Sequence, residues 1–186
     1  MGIIIAFVIL GVIIVGIVSG GVAIYNRLVM LKYNVDKNFA NIDVILKQRV
    51  DEIPNLIAVV KKTQGYEESL LNQLTELRTA FLSSRSTDEK VQLANEVGKL
   101  LNSFFAVSEN YPELKAVESF RTLHLRVSDL EDMLSDRREL YNESVNMYNI
   151  GIHEMPALLF ARPMGYTDKP LLHISEEEKK YDGIRF

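Results

Sequence analysis

Hydrophobic and polar residues follow two different patterns along this chain. From Ile3 to Ile24 nearly every residue is Ile, Val, Leu, Phe, Ala or Gly, and the first charged side chain is Arg27. At about 1.5 Å per residue that run makes a helix roughly 33 Å long, enough to cross a hydrocarbon core of about 30 Å. Beyond it, apolar residues recur at steps of three and four, the period of a helix with one buried face. Leu28, Val35, Phe39, Ile42 and Leu46 form one such stripe. Leu70, Leu74, Leu77 and Phe81 form a second, and Val91, Ala94, Val97, Leu101, Phe104 and Phe105 a third. The last runs through Leu123, Val127, Leu130, Leu134, Tyr141, Val145, Tyr148 and Ile152, with Arg137 filling its one gap.

Punctuation between the stripes sets the element boundaries. No Gly or Pro separates Ala23 from Ile53, so the first arm is expected to continue directly out of the apolar helix. Pro54 predicts a kink or a restart, because proline removes a helical hydrogen bond. Ser86-Thr87-Asp88-Glu89 reads as a capping box opening the third stripe. Pro112 and Glu113 suit a first turn, and a single helix from about Pro112 to Met155 is expected, roughly 65 Å long. From Pro156 onward Pro163, Gly165, Pro170 and Gly183 break any period, which predicts an extended tail. Its apolar residues, Phe160, Tyr166, Leu171, Leu172, Ile174, Tyr181, Ile184 and Phe186, are expected to dock on the bundle or on a second subunit. The fold class is therefore all-α: an N-terminal transmembrane helix, an elongated antiparallel helical bundle of about four helices with one very long, and an extended C-terminal tail. The partition is 1–25 as transmembrane anchor, 26–155 as bundle and 156–186 as tail.

The apolar run lacks the basic start and small-x-small cleavage site of a signal peptide, so it reads as an uncleaved single-pass anchor in the lipid bilayer. Arg27, Lys32, Lys37, Lys47 and Arg49 follow it, against Asp36 and Asp43. The positive-inside rule then puts the N-terminus outside and the C-terminal domain in the cytoplasm. Gly16 and Gly20 form a small-xxx-small pair, a candidate membrane-helix contact.

Composition narrows the chemistry. The net charge is −4 and the basic residues are dispersed, which argues against nucleic acid as a partner. Cysteine is absent, removing thiol catalysis, thiolate metal sites and disulfides. His124, His153 and His173 have no metal-binding spacing, and no phosphate loop or nucleophile elbow occurs. Neither enzymatic activity, nor a metal, nor a cofactor is expected. Acidic pairs such as Asp51-Glu52 and Glu131-Asp132 diverge on a helix and read as solvated or capping groups.

Polar residues within the stripes mark the candidate network or docking face. They are Asn41, Asp43, Lys47, Arg49, Asp51 and Asn55 on the first arm, with Arg137, Arg138, Tyr141, Asn142, Tyr148 and Asn149 on the last. Tyr-Asn occurs twice at seven-residue spacing, which places both pairs on one helix face. Such a set either docks a partner or fixes helix register; the sequence supports both readings.

These residues also carry a resemblance. Tyr25-Asn26-Arg27-Leu28-Val29, Asn41-Ile42-Asp43-Val44, Leu46-Lys47-Gln48-Arg49, Ile53-Pro54-Asn55-Leu56, Gly65-Tyr66 and Glu109-Asn110-Tyr111-Pro112-Glu113-Leu114-Lys115-Ala116 occur in order. Arg137-Arg138, Tyr141-Asn142, Tyr148-Asn149 and Met155-Pro156 follow, and over residues 25 to about 170 the chain resembles the LemA family. Phe39 stands where that family often has Trp, and Glu67-Glu68-Ser69 replaces its usual Ala-x-His-Glu, so no histidine chemistry carries over there. The resemblance implies a bacterial membrane protein with an N-terminal anchor, an α-helical bundle and no established enzymatic activity. Two functions follow as expectations: a membrane-anchored scaffold that forms a homo-oligomer, or an adaptor for another membrane protein such as a membrane metalloprotease.

Overall fold

A computed structural model describes residues 1–61, 68–108 and 110–172, the side chains of Thr87 and Asp88 excepted. The Gly65-Tyr66-Glu67 motif, Glu109 and the tail apolar residues Ile174, Tyr181, Ile184 and Phe186 lie outside the described residues, as does His173. Among the described residues the fold is all-α: α1 (Gly2–Asp51), α2 (Ile53–Val60), α3 (Glu68–Ser83), α4 (Thr87–Ser108), α5 (Pro112–Lys115), α6 (Glu118–His153) and α7 (Leu158–Ala161).

As expected, α1 runs unbroken through the apolar segment and the first arm, and its most apolar stretch is not buried against the protein. It ends at Asp51, two residues before Ile53, and Pro54 sits in the first turn of α2, where a missing N–H costs no helical bond. Two compact units divide the chain, with boundaries inside α1 between Ala40 and Asn41 and inside α6 between Arg137 and Arg138.

The unit containing residues 41–137 packs α3 against α4 as a hairpin closed by residues 84–86. Ser86 precedes α4, while the Glu89 carboxylate accepts a hydrogen bond from Ser84 Oγ at 2.7 Å. Its core includes Leu46, Val50, Leu56, Leu74, Val97, Leu101 and Phe104. Phe104, Phe105 and Phe120 cluster, with ring centroids 5.4–6.3 Å apart, and His124 lies against Phe105 at 4.3 Å. On α3 the buried position is Leu71 rather than Leu70, which is half-buried.

The single helix expected from Pro112 to Met155 is interrupted. A turn at Ala116-Val117 separates α5 from α6, with Val117 N–H bonding Leu114 O and Phe120 N–H bonding Val117 O. Leu114 and Phe120 are both buried. Residues six apart on a continuous helix point about 120° apart, so the interruption lets both side chains face inward.

In the unit containing residues 1–40 and the described chain from Arg138 onward, α1 and α6 run antiparallel. Arg27 pairs with Glu154 at 2.9 Å, Leu31 lies against Gly151, and Phe39 meets Tyr141 edge to face at 5.9 Å. Leu28, Val35, Val145, Tyr148 and Ile152 are buried there. The chain does not become extended at Pro156; it first makes the single turn α7, whose Ala161 is buried. A Schellman motif closes that turn: Tyr166 N–H bonds Ala161 O and Gly165 N–H bonds Arg162 O, with Gly165 at φ +68°. Among the described residues nothing lies near where a Gly165 side chain would project, so Gly165→Ala should cost about 1 kcal/mol of backbone strain alone. Thermal unfolding followed by circular dichroism checks this; a loss beyond about 2 kcal/mol would mean that the turn supports more than itself.

Candidate functional site

The polar residues of the stripes fall into two clusters, one in each unit. In the 41–137 unit, Arg49 lies 3% exposed and pairs with Glu131, which is 34% exposed. Its guanidinium fits flat against α4 because residue 98 is Gly: a Cβ there would stand 3.0 Å from both terminal nitrogens. One turn on, buried Glu52 accepts Arg126 Nε at 3.0 Å and Asn55 Nδ2 at 2.9 Å. Asp43 receives both of its bonds from Lys90 on α4, at 2.9 and 3.1 Å. These pairs tie α1 and the start of α2 to α4 and α6 and orient them, as a network that fixes register does.

The other cluster holds a strap, residues 166–172, against α6. Asn149 accepts from Lys169 N–H and donates to Lys169 O, both at 2.9 Å. Asn142 does the same for Leu172, at 2.8 and 2.9 Å. Each carboxamide thereby mimics a peptide group and satisfies both main-chain polar atoms of one strap residue. The spacing explains the fit. Seven helical residues advance about 10.5 Å, while three residues of polyproline-type chain advance about 9 Å and return to the same face. Pro170 favours that conformation for itself and restricts Lys169 before it to extended geometry.

Side chains fix the strap laterally. Lys169 Nζ reaches Asp36 at 2.6 Å and lies 5.7 Å from the centre of the Tyr148 ring. Tyr166 packs on Tyr148 with centroids 6.0 Å apart, and Lys32 Nζ stands 5.2 Å over the Tyr166 ring. His153 meets Asp168 at 2.9 Å. Burial pushes the Tyr148 phenol above its ordinary value of 10.0; nearby Tyr166, Asp168 and Asp36 add to the rise, and a backbone hydrogen bond with Thr167 opposes it. Tyr148 is thus held as a neutral phenol beneath the strap. A shallow groove of about 520 Å³ beside it is lined by Asn149, Ile150, His153, Glu154 and Asp168.

The sequence-derived set is therefore divided. Asp43, Arg49 and Asn55 enter the first cluster; Tyr148, Asn142 and Asn149 enter the second, where Tyr141 is buried against Phe39. Asn41 is half-buried, while Lys47 and Asp51 are exposed. Arg137 does not fill the gap in the α6 stripe: it is exposed and Arg138 is buried, because steps of four and three from Leu134 lead to 138 and then to Tyr141. Two acids read as solvated or capping, Glu52 and Glu131, are instead ion-paired to arginines from another helix. Sequence reading missed Lys90, Gly98 and Arg126 in the first cluster and Asp36, Asp168 and Lys169 in the second. Only Lys169 carried a local signal, its place before a proline. At Gly16 and Gly20 no side chain or other element among the described residues lies within 4 Å of where a Cβ would project.

The LemA family profile matches residues 38–186. Among curated proteins, magnetosome proteins MamQ 2 and MamQ 1 of Paramagnetospirillum magneticum are each 23% identical over 158 residues, covering 71% of this chain and 58% of theirs. Magnetosome protein MamQ of Magnetospirillum gryphiswaldense is 20% identical over 175 residues, 80% of this chain and 64% of its own length. The chain thus spans less than two thirds of each of these relatives.

Proposed function

The chain belongs to the LemA family, and on that premise we propose that it is a non-enzymatic scaffold, anchored in a bacterial membrane by residues 3–24, that self-associates through the outer face of α1 and α6. The supporting observation is apolar surface beyond the reach of lipid. On α1, Val29, Met30 and Tyr33 are exposed, and Tyr33 lies about 14 Å past Ile24 along the helix. On α6, Leu140, Met147 and Ile150 are exposed in the same unit. An anchored monomer would leave these residues in water, whereas a second copy would cover them. The charge bias after the span supports a cytoplasmic domain.

Tyr33→Glu with Met147→Glu tests this in full-length protein by size-exclusion chromatography with light scattering in mild detergent. The wild type is expected to form a discrete multi-subunit species, and the doubly substituted protein to need at least tenfold higher concentration to form it. A wild type that stays monomeric at micromolar concentration removes the proposal. The adaptor reading instead needs a partner's extended segment to displace the chain's own strap from Asn142 and Asn149, whose carboxamides recognise main chain. Crosslinking in native membranes that returned only self-contacts would end that reading.

A further inference from the structure

The chain after Pro156 turns back toward the membrane helix. The Phe160 ring lies against the α1 backbone at Gly21, where a Cβ would be 3.6 and 3.7 Å from its atoms. Gly21 belongs to the apolar run and stands about 4.5 Å before its last residue, Ile24. With a hydrocarbon core of about 30 Å, that level is the boundary between acyl chains and headgroups. At the same end of this unit, Met155, just before α7, is 68% exposed, and Leu159, within it, is 65% exposed. Polar groups lie close by: Arg27 is paired with Glu154, and exposed Arg162 stands one helical turn after Leu159. Tyr25, half exposed on α1, has the amphipathic character that favours the interface.

We propose that the segment Met155–Met164 is a second membrane element: a monotopic turn whose Met155, Leu159 and Phe160 insert into the headgroup–acyl boundary beside the span. The occupant is lipid because the turn packs on a residue of the span itself, so its exposed apolar side chains are continuous with surface that the bilayer covers. Two exposed apolar residues on a short turn would bind membrane weakly alone, but the covalent span holds this one at the right depth. Arg162 is then placed at headgroup level, where its guanidinium meets lipid phosphate. This inference rests on residues 3–24 spanning the bilayer.

Absence of cysteine makes the test direct. Full-length Leu159→Cys, Ile13→Cys and Glu139→Cys are each labelled with an environment-sensitive fluorophore and placed in phosphatidylcholine nanodiscs, with 5-doxyl or 12-doxyl lipid added. The label at 159 is expected to be quenched at least twofold more by 5-doxyl than by 12-doxyl lipid, the label at 13 more by 12-doxyl, and the label at 139 by neither. Quenching at 13 without quenching at 159 overturns the proposal and leaves the span intact. A label at 159 that is shielded from water but unquenched, and becomes wet at one copy per disc, overturns it in favour of a second copy. No quenching at 13 would refute the span and the proposal together.

Discussion

Replacing Asn142 and Asn149 together by alanine is expected to speed hydrogen exchange at the Lys169 and Leu172 amides by about a hundredfold while leaving the amides of α6 protected. Four hydrogen bonds join these two side chains to the strap main chain. At a net value of about 0.5–1.5 kcal/mol each, and with the strap partly hydrated, their loss amounts to roughly 3 kcal/mol of local opening. Alanine is the better helix former, so α6 itself is not weakened and the effect is confined to what it carries. Asn149→Asp should fall between: it still accepts from the Lys169 amide but sets a carboxylate against the Lys169 carbonyl. Equal exchange in the wild-type and doubly substituted proteins would mean that Tyr166, Lys169 and Asp168 hold the strap without the asparagines.

The second large effect is expected at Arg49. Arg49→Ala should lower the stability of the chain by about 3 kcal/mol in thermal unfolding, at the lower end of the range for breaking a buried ion pair because Glu131 is one-third exposed and can recruit water. The truncation also empties the slot over Gly98. Arg49→Met separates these contributions: its side chain refills the slot, and the loss should shrink to about 1 kcal/mol. If methionine is as damaging as alanine, the charge matters more than the packing, and Glu131→Gln should then be damaging as well.

Local pattern carried most of the architecture. The uninterrupted run from Ala23 to Ile53 gave α1, and Pro54 marked the restart as α2, because helix continuity and proline geometry are decided within a few residues. Errors arose where a neighbouring helix chooses between adjacent residues. Arg137 and Arg138 are chemically equivalent to a pattern reader, as are Leu70 and Leu71, and only packing selects which one is buried. The turn before α6 was missed for the same reason, since no Gly or Pro marks it and the need to bury both Leu114 and Phe120 arises from tertiary structure. At the candidate site, seven-residue spacing put Asn142 and Asn149 on one face, but what they hold was not legible. A segment without period announces no partner, and Glu52 and Glu131 meet arginines from another helix.

Pro170 also governs where the strap can slip. Moving the strap one residue in one direction would bring Pro170 opposite Asn149, and proline has no N–H to give the carboxamide oxygen. Moving it one residue the other way would set Asp168 there and turn Lys169 away from Asp36 and Tyr148. The asparagine pair accepts any main chain, so it cannot by itself tell one alignment from the next; the proline and the lysine supply the address. Shortening or lengthening the chain between Lys169 and Leu172 by one residue would leave one asparagine without its partner, whereas changes before Tyr166 would leave the alignment untouched.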